Sequence, residues 1–373
     1  MKYPVLLLLL VLQIHTHSQT TILVEKIPAN TPENAKIYIT GSFNGWNPAD
    51  TAYLLKKSRM GYYIQFNEIP PKTEFKFTLG SWQTVETNID GTDIQNRTIK
   101  HVNRTQKMNI ENWKNSIIEI QNTATTNVKI LYDSIYIPQL NTKRRIWIYL
   151  PPNYDQPDTR FPVLYMHDGQ NLFNAATSFS GEWQVDEQLN TLFSTTQKSF
   201  IVIGIDNGGS ERINELSPWL NDKYGGGKGE LYAEFIVSIL KPAIDSSYKT
   251  LSDAQNTAII GSSLGGLISM YMVCKYPDVF GKAGIFSPAF WINPQIFEYV
   301  KNANLTANHR FYILAGGKES AFLYSEVKKM NSLLLDNRTN VPLVLVKKVA
   351  NGKHNETFWS KHFIESVKYL WDF

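Results

Sequence analysis

From about Asn127 to the end of the chain, short apolar runs alternate with longer stretches of helix-like composition. The runs are apolar at nearly every position, which is the pattern of strands that are covered on both faces. Strands that alternate with helices in this way predict a mostly parallel sheet of the α/β class. The predicted strands are residues 145–150, 161–166, 200–205, 257–260, 282–286, 310–315 and 341–349.

A nucleophile motif follows one of these strands. The residues 261–265 read Gly-Ser-Ser-Leu-Gly between the strand 257–260 and a helix-like stretch, which is the strand–turn–helix context that a Gly-x-Ser-x-Gly motif requires. The turn is so tight that side chains two positions to either side of the central serine are expected to clash. We therefore predict Ser263 as the nucleophile. The N–H of Leu264 and the dipole of the next helix then stabilise the developing negative charge.

A serine hydroxyl needs a base to activate it, and the base needs an acid to orient it. Where this motif occurs, the acid and then the histidine follow the serine along the chain. His354 stands in a loop directly after the last predicted strand and is the predicted base, with His362 as the alternative. Glu319 follows the strand 310–315 and is the predicted acid, with Asp336 as the alternative.

The oxyanion of the reaction needs a second backbone donor besides Leu264. This donor should follow the predicted strand that ends at Met166, where the sequence reads His-Asp-Gly-Gln-Asn. We predict the N–H of Gln170 or Gly169 for this role. His167 then has a structural function and not a catalytic one.

These motifs resemble the putative-esterase branch of the α/β-hydrolases, which includes enterochelin (siderophore) esterases and the feruloyl and acetylxylan esterases of carbohydrate esterase family 1. The resemblance covers roughly residues 127–373 and implies an α/β-hydrolase fold, with helices on both faces of a mostly parallel sheet. It also implies ester hydrolysis by a serine without metal or cofactor. The motifs that carry it are Tyr149-Leu-Pro-Pro-Asn-Tyr, His167-Asp-Gly-Gln-Asn-Leu-Phe, Gly261-Ser-Ser-Leu-Gly-Gly and Gly352-Lys-His.

A pair of aromatic residues follows the predicted strand 282–286 at the same edge of the sheet. Phe290 and Trp291 are candidates for the wall of an acyl or sugar pocket, and ordinary packing in the core is the alternative.

The region before residue 120 has a different pattern. Residues 35–40, 61–66 and 73–78 predict short strands, turn clusters separate them, and no helical stretch occurs. Short strands at this spacing indicate a small immunoglobulin-like β-sandwich in front of the α/β domain.

This front region also resembles a known type of module. The motif Gly41-Ser-Phe-Asn-Gly-Trp-Asn-Pro is similar to the opening of the early-set sandwich modules that bind glycogen and starch. The resemblance implies that Trp46, Lys76 and Trp82 bind carbohydrate, since a flat indole stacks on the apolar face of a pyranose. A sandwich that serves only as a scaffold beside the active site is the alternative.

The first residues have the pattern of an export signal. Eight apolar residues, Val5 to Leu12, follow a basic start, whereas a membrane-spanning helix needs about 20. The run has the length of a signal-peptide core. We therefore expect a cleaved signal peptide at 1–18, the sandwich at 19–120 and the esterase domain at 121–373. This implies a secreted or periplasmic protein without a membrane span. A glycosylation sequon at Asn355, beside the predicted base, argues for a bacterial source.

The composition excludes several other classes. The net charge is only +4 and no block of like charges occurs, so nucleic acid is not an expected partner. The single cysteine, Cys274, excludes an internal disulfide, Cys-rich zinc folds and iron–sulfur clusters.

The prediction is therefore an exported serine esterase that hydrolyses carboxylic esters through an acyl-enzyme, on feruloyl or acetyl groups of plant polysaccharide. One alternative is a siderophore trilactone esterase of the enterochelin type. A second is a non-catalytic glycan-binding protein with a vestigial hydrolase domain, and a third is acyl transfer in place of hydrolysis.

Overall fold

The computed structural model describes residues 19–102, 104–114, 122–178, 181–336 and 340–373. The predicted signal peptide lies outside these residues. The chain divides into two compact units, Met1–Ile117 and Ile118–Phe373. Within the described ranges, no helix combines the length and the hydropathy that crossing a membrane would need.

The first unit is a small β-sandwich, as its strand spacing predicts. Its strands are β1 (Thr20–Lys26), β2 (Tyr38–Gly41), β3 (Lys56–Ser58), β4 (Gly61–Phe66), β5 (Glu74–Thr78), β6 (Glu86–Thr87), β7 (Arg97–Thr98), β8 (Thr105–Asn109) and β9 (Asn112–Trp113). They form a sheet of order β3-β4-β1-β8, a second sheet of order β2-β5-β7 and the pair β6-β9.

The two larger sheets of this unit share one apolar core. Along β4, Ile64 and Phe66 are buried and Gln65 between them is exposed, which is the alternation of a strand with one covered face. Ile64 belongs to the same buried cluster as Ile39 of β2 and Phe75 of β5. The two sheets therefore pack face to face.

The second unit contains one large sheet and eight helices among its described residues. The strands are β10 (Val128–Ile137), β11 (Thr142–Tyr149), β12 (Val163–His167), β13 (Ile201–Ile205), β14 (Leu220–Asn221), β15 (Gly225–Gly226), β16 (Thr257–Ser262), β17 (Lys282–Phe286), β18 (Arg310–Gly316) and β19 (Leu343–Val349). The α-helices are α1 (Val185–Thr196), α2 (Arg212–Leu216), α3 (Gly229–Phe235), α4 (Lys241–Ser247), α5 (Leu264–Lys275), α6 (Gln295–Lys301), α7 (Ala321–Leu335) and α8 (Glu356–Trp371).

The large sheet has the order β10-β11-β13-β12-β16-β17-β18-β19. Strand β11 is antiparallel to both of its neighbours, and the remaining adjacent pairs are parallel. This topology confirms the predicted α/β-hydrolase fold. The parallel arrangement brings the carboxyl ends of β12, β16, β17, β18 and β19 to one edge, and the loops that follow them carry the predicted site residues.

Helices cover both faces of this sheet. Tyr165 of β12 belongs to one buried cluster, together with residues of α3, α5 and α7. Its neighbours Leu164 and Met166 belong to another, together with residues of α1 and α8. Because successive side chains of a strand point to opposite faces, the strand is apolar at every position.

Strand β10 and the conformation of the stretch 231–244 differ from the prediction. Strand β10 was not predicted, because it lies at the edge of the sheet and mixes half-buried and exposed residues without a regular period. The helix-like stretch 231–244 is confirmed but is not uniformly α-helical, since a π-helical turn, Ile236–Leu240, joins α3 to α4. Pro242 lies in the first turn of α4, where its missing N–H interrupts the helical ladder.

Candidate active site

The motif 261–265 forms a sharp turn between β16 and α5. Ser263 lies between the two elements at φ 57° and ψ −116°, a strained conformation for a residue with a side chain. A Cβ atom on Gly261 would lie 2.6 Å from the backbone carbon of Gly265, so this position requires glycine. At Gly265 the expected clash is absent, because the nearest atom to an added Cβ is 3.4 Å away on His167.

Glu319 and His354 meet beyond the carboxyl ends of β18 and β19. Glu319 Oε2 accepts a hydrogen bond from His354 Nδ1 at 2.8 Å. The Glu319 side chain is 1% exposed, and that of His354 is 44% exposed. This arrangement places a buried carboxylate against one nitrogen of the imidazole and leaves Nε2 as the nitrogen that can exchange a proton.

The carboxylate of Glu319 has further donors that hold it in place. Its Oε1 accepts hydrogen bonds from the N–H of Gly316 at 2.9 Å and from Ser287 Oγ at 2.6 Å. Ser287 in turn accepts a hydrogen bond from Trp359 Nε1 at 2.9 Å, and the ring of Trp359 stands edge-on to His354 at 5.0 Å. The sequence analysis missed Ser287 and Trp359, since each is separated from its partner by more than 30 residues.

Ser263, Glu319 and His354 line the same cavity, which has a volume of about 660 Å³. Ser263 and His354 both lie in the described part of the chain, and the structure shows no hydrogen bond between Ser263 Oγ and the imidazole of His354. Such bonds often tighten only when substrate is bound. The other lining residues are Trp291, Ser320, Phe322, Leu323, Ser325 and Glu326.

The predicted oxyanion donors lie at the first turns after β12 and β16. Leu264 begins α5 directly after Ser263. Gln170 lies in a 3-10 turn, Gly169–Asn171, and its side-chain Oε1 accepts a hydrogen bond from the N–H of Asn207 at 3.2 Å. Gly169 packs against β13 so closely that a Cβ atom would lie 2.8 Å from the backbone of Gly204. The tight packing fixes the height of this turn above the sheet.

A buried ion pair supports the same turn. Arg212 donates to both carboxylate oxygens of Asp168, at 2.6 and 2.8 Å, and Asn207 Nδ2 donates at 2.6 Å. Burial alone would raise the pKa of Asp168, but the charge and hydrogen bonds of Arg212 more than offset it and hold the pKa below its usual value.

His167 lies in the core at the end of β12. It is 2% exposed, and its Nδ1 lies 2.9 Å from the hydroxyl of Tyr232. Burial lowers the pKa of His167 to about 4, so the ring is neutral at physiological pH.

The remaining residues proposed for this unit lie in different environments. Trp291 is 47% exposed and lines the cavity, but Phe290 is fully buried and packs against Phe297. Phe290 is therefore a core residue and does not line the cavity. The two side chains are adjacent in a 3-10 turn and point in different directions. The alternative base His362 lies in α8 with its Nδ1 at 3.2 Å from Glu365, and the alternative acid Asp336 caps the carboxyl end of α7.

The proposed carbohydrate-binding residues lie in the first unit. The rings of Trp46 and Trp82 are neighbours, with centroids 6.0 Å apart, and both are partly exposed. The ammonium of Lys76 donates a hydrogen bond to the carbonyl of Ile94, and burial lowers the pKa of Lys76. The two indoles therefore offer a surface for stacking, whereas the lysine is already hydrogen-bonded within the sandwich.

One cluster of acidic residues has the ligand types that a hard cation prefers. Glu182, Asp186 and Glu187 each offer a carboxylate oxygen within 4.8 Å of the others. Two of the carboxylates already accept hydrogen bonds within the protein. Asp186 Oδ2 accepts from the N–H of Thr125 at 2.7 Å, and Glu182 Oε1 accepts from the hydroxyl of Thr123 at 2.8 Å. The cluster lines no part of the cavity that contains Ser263.

Comparison with known proteins identifies the family of the chain. The sequence profile of the family described as "Putative esterase" matches residues 137–370, well over half of the chain. The uncharacterised protein YbbA of Bacillus subtilis is 26% identical over 245 residues, which are 61% of this chain and 92% of that protein.

Two further relatives match shorter parts of the chain. An α-amylase of Niallia circulans is 44% identical over 92 residues, which are 24% of this chain and 7% of the amylase. An endo-1,4-β-xylanase/feruloyl esterase of Xylanibacter ruminicola is 26% identical over 160 residues, 40% of this chain and 20% of that protein.

Among solved structures, the enterobactin esterase of Shigella flexneri superposes with a TM-score of 0.56 at 16% sequence identity. The superposition covers 91% of this chain and 88% of that one, and at this identity it supports the fold alone. The chain belongs to the "Putative esterase" family and is a carboxylic ester hydrolase.

Proposed function

We propose that this protein hydrolyses carboxylic esters with Ser263 as nucleophile, His354 as general base and Glu319 as the acid that orients it. The observation that carries the proposal is the 2.8 Å hydrogen bond between Glu319 and His354 at the cavity that Ser263 also lines. Serine acyl transfer requires a nucleophile, a base that takes its proton and an acid that orients the base.

In the first half-reaction, Ser263 Oγ attacks the ester carbonyl carbon and its proton passes to Nε2 of His354. The N–H groups of Leu264 and Gln170 donate to the oxyanion that forms, with Gly169 as the alternative donor. The tetrahedral intermediate then collapses, the bond to the alcohol oxygen breaks, and His354 returns its proton to the departing alcohol. An acyl-Ser263 ester remains.

In the second half-reaction, water replaces the alcohol. His354 takes a proton from the water as its oxygen attacks the acyl carbon, and the carboxylic acid leaves when the proton returns to Ser263. Throughout the cycle, Nδ1–H of His354 donates to Glu319, which stabilises the imidazolium. The three donors around the Glu319 carboxylate, from His354, Ser287 and Gly316, hold it in position beside the imidazole.

For the substrate, we propose feruloyl or acetyl esters on plant polysaccharide, cleaved outside the cytoplasm after removal of residues 1–18. The match to a xylanase/feruloyl esterase supports the acyl group. The neighbouring indoles of Trp46 and Trp82 support glycan binding by the sandwich, and the match to an α-amylase is consistent with a carbohydrate ligand.

The test compares wild type with Ser263→Ala on phenyl acetate, methyl ferulate and acetylated xylan, with the released acids identified. Ser262→Ala is the matched control, because Ser262 is the buried neighbour at the end of β16. We expect Ser263→Ala to lose hydrolysis and Ser262→Ala to retain it. Full activity in Ser263→Ala would overturn the assignment of the nucleophile.

A siderophore trilactone is the second candidate substrate. The resemblance of the sequence motifs to a branch that includes enterochelin esterases favours it, and an enterobactin esterase shares the fold. Hydrolysis of methyl ferulate without hydrolysis of enterobactin, with or without iron, would exclude this candidate, and the opposite result would exclude the feruloyl substrate.

A further inference from the structure

The cavity at Ser263 contains a second carboxyl group besides that of Glu319. Glu326 lies on α7 and lines the same cavity as Ser263 and His354. Its Oε2 atom is buried and has no hydrogen-bond partner in the part of the chain that the structure describes. A buried acceptor without a donor is destabilising, so its presence in a functional cavity calls for an explanation.

The partners of Glu326 within the protein are few. The backbone of Trp291 and the charge of Lys329, one turn further along α7, both favour the ionised form of the carboxyl group and lower its pKa. The ammonium of Lys329 itself lies 4.1 Å from the centre of the Phe297 ring. Burial is the largest influence on Glu326 and raises its pKa to about 7.

The two carboxyl groups of the cavity therefore differ in what they can still bind. Both oxygens of Glu319 have donors within the protein, since Oε2 accepts from His354 and Oε1 accepts from Ser287 and Gly316. Glu326 keeps one oxygen that no described group of the protein uses. Only this second carboxyl group has an oxygen left for a hydroxyl of the substrate.

Aromatic side chains border the cavity near Glu326. Phe322 is 76% exposed and stands four residues before Glu326, so the two lie on the same face of α7. Trp291 lines the cavity as well, and the ring of Tyr224 packs edge-on against it at 5.2 Å. Exposed flat rings at the mouth of a cavity suit a planar or pyranose ring better than an aliphatic chain.

We propose that Trp291, Phe322 and Glu326 form a subsite for a hydroxyl-bearing ring of the ester, which stacks on the aromatic side chains while its hydroxyl donates to Glu326. This inference rests on the proposed function, because it takes Ser263 as the position of the reacting carbonyl. The ring belongs either to a phenolic acyl group or to a sugar on the alcohol side. Both present the same chemistry, a flat apolar face with a hydroxyl at its edge.

The experiment measures kcat/KM for matched substrate pairs that differ only in the ring hydroxyl. The phenolic pair is methyl 4-hydroxycinnamate and methyl cinnamate. The sugar pair is an acetylated methyl xyloside and its deoxy analogue. The variants are Glu326→Met, which removes the acceptor at similar volume, and Glu326→Gln, which keeps an amide oxygen as acceptor. Glu298→Met on α6 is the control, because Glu298 lines a different cavity.

We expect wild type to prefer the hydroxylated member of one pair by about 10- to 100-fold, because a site built around a hydroxyl discriminates against its absence. Glu326→Met should lose this preference, mainly through a higher KM for the hydroxylated member. Glu326→Gln should keep part of the preference for the hydroxylated substrate, and Glu298→Met should keep all of it. The pair that responds identifies whether the ring is phenolic or a sugar.

Two results would overturn the subsite. One is a wild type that hydrolyses both members of each pair equally well, and the other is a Glu326→Met variant that keeps the full preference. Phe322→Ala provides a second measurement, since loss of the stacking surface should lower kcat/KM for both members of the responding pair. Failure of the proposed function is distinct, because it would appear as undiminished hydrolysis in Ser263→Ala.

Discussion

His354 follows strand β19 and His167 is the last residue of β12 in the same sheet, yet their surroundings give them different chemistry. His354 is nearly half exposed, has a buried carboxylate on Nδ1 and lies at the cavity of Ser263. His167 is buried, has the hydroxyl of Tyr232 on Nδ1 and sits next to a carboxylate that Arg212 already neutralises. A histidine acts as a base when it can exchange protons with substrate and when an acid stabilises its charged form.

The contrast also explains why each carboxylate is where it is. The carboxylate of Glu319 is directed at an imidazole, where it would support the proton transfer that we propose for His354. The carboxylate of Asp168 is directed at a guanidinium, so its charge supports the turn with the proposed oxyanion donors.

The largest expected effect separates the two histidines by activity. We expect His354→Ala to lower kcat by a factor on the order of 10⁴ to 10⁶, because loss of one member of a serine triad removes most of its contribution. His167→Gln should lower kcat by less than about tenfold, since a folded protein retains the triad. Steady-state hydrolysis of phenyl acetate by protein whose folding is verified by circular dichroism measures both. Equal losses in the two variants would contradict the comparison.

The second effect concerns stability in the cluster around His167. Arg212→Met leaves the buried carboxylate of Asp168 without its cation, so we expect the free energy of unfolding to fall by about 3 kcal/mol. The double variant Asp168→Asn/Arg212→Met removes both charges and should recover a large part of this loss. Urea denaturation measures the three proteins, and equal destabilisation of the single and double variants would show that the buried charge is not the cause.

The third effect is the pH dependence of stability. The pKa of His167 is about 4 in the folded protein, against about 6.5 in an unfolded chain. Between these values the unfolded chain binds more protons, so stability falls as the pH decreases from about 6.5 to 4. Protonation of His167 in the unfolded chain therefore lowers the free energy of unfolding by roughly 3 kcal/mol once the pH is below about 4.

His167→Gln has no imidazole to titrate, so this variant is the control for the wild type. The difference in unfolding free energy between wild type and His167→Gln, measured by urea denaturation at pH 7.5 and pH 4.5, should shift in favour of the variant at the lower pH. A difference that does not change with pH would mean that His167 is protonated as readily in the folded protein as in the unfolded chain.

The smallest effect tests the support of the proposed acid. Ser287→Ala removes one donor to Glu319, and Trp359→Phe removes the N–H that orients Ser287 while keeping an aromatic ring beside His354. A hydrogen bond of this kind contributes about 1 kcal/mol. We therefore expect each variant to lower kcat by roughly five- to tenfold with KM unchanged. A change in KM alone would show that these residues act on substrate binding.

Much of the architecture was predictable because it depends on local patterns. The apolar runs identified the central strands, and the loops after parallel strands meet at one edge of a sheet. This places Ser263, Glu319 and His354 together from their order along the chain. The edge strand β10 was missed for the opposite reason, since an edge strand is half exposed and lacks a continuous apolar pattern.

Neighbouring residues show the limit of such patterns. Phe290 and Trp291 were predicted to share the pocket, but one is fully buried and the other is 47% exposed. They lie in a short 3-10 turn, Phe290–Ile292. A turn of three residues has no periodicity from which the direction of a side chain can be read.

Chain order and local pattern were thus sufficient for the fold, the nucleophile turn and the pairing of a glutamate with a late histidine. They were not sufficient for the burial of His167, the hydrogen bonds from Trp359 to Ser287 and from Ser287 to Glu319, or the unused oxygen of Glu326. These features arise between residues that are dozens of positions apart. Desolvation and hydrogen-bond geometry depend on which side chains the folded chain brings together, so they exist only once the packing is complete.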